Sequence, residues 1–159
     1  MSDVLLILTV TCAVGSGLIA GVFFAFSSFV MPALGRTTSP HGAEAMQQIN
    51  VTVINVPMMG TFLGSGVLCL LLAGLTLWQG DVSAAWLTLT GCGLYVVGTI
   101  GVTIVFNVPM NEKLALMPLA ESTTADYWQH YLRRWTWWNT VRTLASTAAC
   151  VVLIVSLLV

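Results

Sequence analysis

The sequence predicts an all-α integral membrane protein: a four-helix bundle with a short interfacial helix before span 2 and a juxtamembrane extension of helix 4. Three observations carry that reading. Of 159 residues, 57% are hydrophobic and only 7% charged, whereas a soluble domain carries roughly a quarter charged residues. Mean hydropathy is correspondingly high, at +0.92. Four apolar stretches each supply the roughly 20 residues that cross a bilayer, and no hydrophilic stretch is long enough for a second domain, so residues 1–159 form one unit.

The first span covers about residues 4–31. It is uncharged, and Pro32 is expected to mark its exit. Met1-Ser2-Asp3 lacks the basic region of a signal peptide, so this segment is expected to be a retained helix. Ser39-Pro40 reads as a helix start, and residues 41–50 form the interfacial helix that runs into the second span, about residues 53–78. Gln79-Gly80-Asp81 is a minimal turn, which makes spans two and three (82–107) an antiparallel hairpin. The fourth span, 138–159, borrows its first turn from a helix that starts near residue 122. Thr123 or Thr124 caps that helix and Asp126 suits its first turn.

Charge gives the orientation. Arg36, Lys113, Arg133, Arg134 and Arg142 all flank the loops after spans one and three, while the termini and the turn at Asp81 carry no basic residue. The positive-inside rule then puts both longer loops in the cytoplasm and both termini outside, as a multi-pass protein of the cell membrane. A net charge of −1 without a basic run excludes nucleic acid as a partner. The expected partners are the lipid bilayer and a lipophilic aromatic small molecule. Gly17-xxx-Gly21, Gly60-xxx-Gly64 and the pair Gly98 and Gly101 read first as close packing within the bundle, with a homo-oligomer interface as the alternative. Cys12, Cys69, Cys92 and Cys150 lie far apart inside apolar segments and read as small buried hydrophobes. No His, Cys or carboxylate cluster has ligand spacing, so no metal site is expected.

Polar chemistry gathers on one side of the membrane. Asn55-Val56-Pro57-Met58 opens span two and Asn107-Val108-Pro109-Met110 closes span three. The asparagines either cap the helix ends or, with Asn50 and Asn111, wall a polar pocket between broken helices. In the last helix, Trp128, Trp135 and Arg142 recur every seven residues, flanked by Tyr131, Trp138 and Asn139. Counting back from Val159 puts Arg142 about one turn inside the hydrocarbon boundary. There it either snorkels to the phosphates or faces inward as a fixed positive charge. His41, His130, Glu44 and Glu112 read mainly as exposed groups, and a base would come from His130, His41, Glu112 or Tyr131.

Several blocks resemble a known family. They are Gly15-Ser16-Gly17 with Gly21-Val22-Phe23-Phe24-Ala25-Phe26-Ser27, Met31-Pro32-Ala33-Leu34, Ala45-Met46-Gln47-Gln48-Ile49-Asn50, Phe106 through Asn111, and Trp135-Thr136-Trp137-Trp138-Asn139-Thr140-Val141-Arg142-Thr143. Their order and content are similar to the anthrone oxygenase-like family of four-helix membrane proteins. Many relatives carry His where this chain has Thr140. The resemblance implies oxidation of a flat phenolic, anthrone-like substrate by O2 with no metal or flavin cofactor. Under it, Trp128, Tyr131, Trp135, Trp138, Asn50, Asn55, Asn107 and Asn111 would bind substrate. Arg142, Asn139 and His130 would act on it. A non-enzymatic subunit holding a lipid, quinone or partner helix, and a small-molecule transporter, are the alternatives.

Overall fold

The computed structural model describes residues 3–80, 85–119 and 122–159, and these are helical with short connections. Five helices follow in order: α1 (Asp3–Gly35), α2 (Ser39–Thr52), α3 (Val56–Gln79), α4 (Ala85–Ala115) and α5 (Ser122–Ser156). Among the described residues, α1, α3, α4 and α5 are long and apolar enough to cross a membrane. The chain is thus a multi-pass membrane protein by length and composition. The α3–α4 turn opens on Gly80, whose φ of 71° suits glycine. Asp81 and Val82, expected to complete the turn and begin span three, lie outside the described residues.

In the bundle α1 and α4 each pack against both α3 and α5. Neighbours therefore run antiparallel around the ring, an up-down-up-down arrangement. At the α4–α5 seam the backbones approach closely. A Cβ on Gly91 would stand 2.7 Å from Leu153 Cγ, and one on Gly98 would stand 2.6 Å from Ala145 Cβ. Small residues thus pack within the bundle, as expected in lipid. A Cβ on Gly17 would meet Cys150 Sγ at 3.3 Å, but Gly21 and the α3 pair do not follow that expectation, because Gly21, Gly60 and Gly64 meet nothing within 4 Å.

Two boundaries differ from the sequence reading. Neither Pro32 nor Pro109 ends its helix: α1 continues to Gly35 and α4 to Ala115. Proline breaks an α-helix because its ring meets the carbonyl four residues back and its own N–H is missing. Here the residues four back, Ser28 and Val105, lie in π-helical segments, Phe26–Val30 and Thr103–Asn107. The wider turn shifts hydrogen bonding to the fifth residue, so each proline falls where the register already changes. A third π-segment, Val96–Gly101, lies just upstream in α4.

Between α2 and α3 the break is sharp. Asn55 adopts an extended backbone and its side chain accepts from Met58 N at 3.0 Å, while its Nδ2 donates to the Thr52 carbonyl at 2.9 Å. The interfacial helix therefore ends before span two rather than running into it. From within its length α2 docks on α4: Gln47 Nε2 donates to the Leu114 carbonyl at 2.8 Å, satisfying a helix-terminal acceptor.

Buried side chains form two clusters. One, toward the termini, holds Leu5, Cys12, Phe23, Phe62, Cys69, Leu72, Cys92 and Leu153. Three of the four cysteines are thus core hydrophobes, with Cys150 half-buried. The other, toward α2, holds Met31, Met46, Leu114, Trp128, Tyr131 and Trp135.

Candidate functional site

The seven-residue stripe on α5 faces the bundle interior. Trp128, Trp135 and Arg142 are all buried, as are Tyr131 and Asn139 one turn to the side. Trp128, Tyr131 and Trp135 stack in a column with ring centroids 5.7 and 5.8 Å apart. The column ends on Arg142, whose guanidinium carbon lies 5.2 Å from the Trp135 ring and 4.1 Å from Phe23. Arg142 is only 4% exposed. It points inward and does not snorkel.

Its charge is held by neutral partners. Nη2 donates to Asn139 Oδ1 at 2.7 Å and Nη1 to Thr103 Oγ1 at 3.1 Å, while Nε is buried without a partner. Asn139 is fixed in turn, its Nδ2 donating to the Phe23 carbonyl at 2.6 Å and to Ser27 Oγ at 2.8 Å. Phe23 lies one turn ahead of the α1 π-segment and Ser27 lies within it, and Thr103 opens the second π-segment of α4. These widened turns bring the two side chains and the Phe23 carbonyl to α5.

Beside Arg142, where the two core clusters meet, is a cavity of about 240 Å³. Its walls are mostly apolar: Phe23, Phe26, Phe62, Trp135 and methionines 46, 58 and 59, with Ile54 toward the exterior. Its polar lining consists of Asn50, Asn111, Thr103 and Arg142. Asn111 Oδ1 accepts both Tyr131 Oη and Trp135 Nε1, each at 2.7 Å. Asn50 Nδ2 is buried and has no hydrogen-bond partner. An apolar chamber with a few convergent polar groups is the usual form of a small-molecule site.

The structure thus gathers Arg142, Trp135, Asn50 and Asn111 at the cavity, with Asn139, Tyr131 and Trp128 supporting them from behind. Asn107 is buried and its Nδ2 donates to the Trp135 carbonyl at 3.3 Å, but it does not line the cavity. Three other expectations separate from the site. Asn55 is exposed and caps α3. Trp138 lies off the chamber and stacks on Phe106 at 3.6 Å. His130 is exposed and stacks on Tyr127. Thr140, where relatives often have His, hydrogen-bonds Ser27 Oγ at 2.9 Å and also lies off the cavity lining.

The sequence reading missed the opposite wall: Phe23, Phe26 and Thr103, with Phe62 from α3. A signal was present, since Phe23, Phe26 and Ser27 share one helix face at i, i+3 and i+4.

No curated protein and no solved structure matches the chain. The family described as Anthrone oxygenase matches over residues 56–152, more than half of the length. The match takes in α3, α4 and the whole stripe on α5. The chain belongs to the anthrone oxygenase family.

Proposed function

We propose that the protein is a cofactor-independent oxygenase that oxidises a flat, lipophilic phenolic substrate of the anthrone type with O2. One observation carries the reading: a buried, carboxylate-free guanidinium, that of Arg142, beside an aromatic-walled cavity of about 240 Å³. A fixed positive charge away from water serves best where negative charge develops. An anthrone supplies such charge, because loss of its benzylic proton gives an aromatic oxyanion.

That anion passes one electron to O2, giving a carbon-centred radical and superoxide. Their combination forms the C–O bond of a peroxide. Breaking the O–O bond with loss of the remaining C–H proton releases water and leaves a second carbonyl. The balance is one substrate and one O2 to one quinone and one water. The protein's share is to hold the ring between Phe23, Phe26 and Trp135 and to set the oxyanion against Arg142, Asn111 and Asn50.

The test is O2 uptake by purified protein in lipid nanodiscs supplied with anthrone, with quinone followed by absorbance. Uptake well above protein-free autoxidation, at one O2 per quinone, is the expected result. Retention of the ring compound with uptake no faster than the protein-free control would instead identify a binding subunit.

A further inference from the structure

Of the polar groups around the cavity, Arg142 and the Asn111 amide present donors to it. Arginine has five N–H donors, no acceptor, and does not deprotonate in proteins; two of its nitrogens here hold Asn139 and Thr103, and Nε is spare. The Asn111 amide has a determined orientation. Trp135 Nε1 can only donate, so the atom facing it at 2.7 Å is the amide oxygen. Tyr131 Oη takes the same oxygen. What Asn111 offers a ligand is its NH2 group. Thr103 gives its proton to the Thr99 carbonyl at 2.7 Å while its oxygen accepts from Arg142, so it has no proton left to donate.

No lining residue among those described is acidic or a histidine. The titratable groups on the surrounding elements are turned away. His41 and Glu44 on α2, Glu112 and Lys113 on α4, and His130, Arg133 and Arg134 on α5 are exposed. Lys113 lies 4.5 Å over the Tyr127 ring. Tyr131 spends its proton on Asn111 and does not line the chamber.

We infer that this site has no side-chain base among the described residues and selects its substrate as a ready-formed phenolate-type anion, deprotonated by water. The O–H bond of the enol tautomer breaks outside the chamber, the proton passes to interfacial water, and the electron pair stays on the oxygen that Arg142 and the Asn111 amide receive. Donors and positive charge favour the ionised form of whatever they face. The inference takes the cavity to be the substrate site of the proposed oxygenase, but its test needs no turnover.

Anaerobic binding of flat phenols that O2 does not attack, differing in their own acidity, is followed by tryptophan fluorescence in nanodiscs over a pH series. The pH at which affinity reaches half its maximum should follow each ligand's own acidity in step. The matching methyl ethers, which cannot ionise, should bind at least tenfold more weakly at every pH. One midpoint common to all ligands overturns the inference and assigns a protein base, and ethers binding as well as the phenols also overturn it. Asn111→Asp keeps oxygens for Tyr131 and Trp135 and removes the donor, so phenolate affinity should fall tenfold or more while the ethers are unaffected. Unchanged phenolate binding in that folded variant counts against the inference. Absent O2 uptake with anion selectivity intact sinks the oxygenase reading alone.

Discussion

At the scale of residues the site depends on planar geometry. Arg142 spans two directions at once, toward Asn139 on its own helix and Thr103 on α4, while its face covers Phe23. An ammonium group cannot reproduce that fork or that stacking. Arg142→Lys should therefore lower kcat/KM for anthrone oxidation by about two orders of magnitude. The exposed Arg133→Lys, nine residues earlier on the same helix, should stay near wild type. Equal activity of the two variants would retire Arg142 from the site. Trp135→Phe keeps an aromatic ring but deletes one of the two donors that orient Asn111. We expect a stability loss of about 1 kcal/mol, read by thermal unfolding in detergent, and a several-fold rise in KM as the amide turns. Wild-type KM in that variant would show that Trp135 does not set the amide. The Trp128, Trp135 and Arg142 stripe was legible because a seven-residue repeat on a helix means one face whatever surrounds it. The roles of the asparagines were not legible. Asn55 and Asn107 stand in identical Asn-Val-Pro-Met settings, yet one caps a helix at a break in the chain and the other is buried inside a continuous rod. Only packing separates them.

At the scale of elements, the π-segments set where the functional atoms meet. Both prolines looked like helix ends from local rules, and both rods continue because a π-turn precedes each. Local reading failed here for a physical reason. A π-segment has no strong residue signature, and tertiary contacts select it when a partner side chain such as Asn139 takes up the nearby backbone carbonyl. The α4–α5 seam gives a direct test of how closely these elements must approach. Gly98→Ala puts a methyl 2.6 Å from Ala145 Cβ, so either the helices separate or the backbone shifts. Overpacking of this kind costs about 1–3 kcal/mol. It should also weaken ligand binding, since Thr103 and Asn107 lie on the same rod just beyond. Gly93→Ala on the same helix meets nothing within 4 Å. It should leave unfolding unchanged or raise it slightly, because alanine is the better helix former. If the two variants melt alike, the close α4–α5 approach is wrong.

On the scale of the whole molecule, one end of the bundle carries both the cavity and the cationic charge. The helix α5 has 35 residues and is thus roughly 50 Å long at 1.5 Å per residue. It outruns a hydrocarbon core of about 30 Å, so its first turns stand at the interface. Arg36, Lys113, Arg133 and Arg134 are exposed at that same end, while lipid-facing residues such as Val67, Leu70 and Leu77 cover the rods between. Arg142 is the exception: it is buried among neutral partners inside the bundle and adds no charge to the exposed surface. Discounting it leaves four exposed basic residues against none at the termini. Basic loops are retained in the cytoplasm, so the cavity end should face inward and a lipophilic substrate should reach it from the cytoplasmic leaflet. A reporter active only outside the cytoplasm should work when fused after Val159 and fail when inserted between α4 and α5, and a cytoplasm-active reporter should show the reverse. Neutralising Arg36, Arg133 and Arg134 together should blur this pattern toward mixed orientation, whereas Arg142→Gln should leave it unchanged. Activity in the opposite pattern would move the cavity to the outer leaflet, and with it the membrane face from which substrate is drawn.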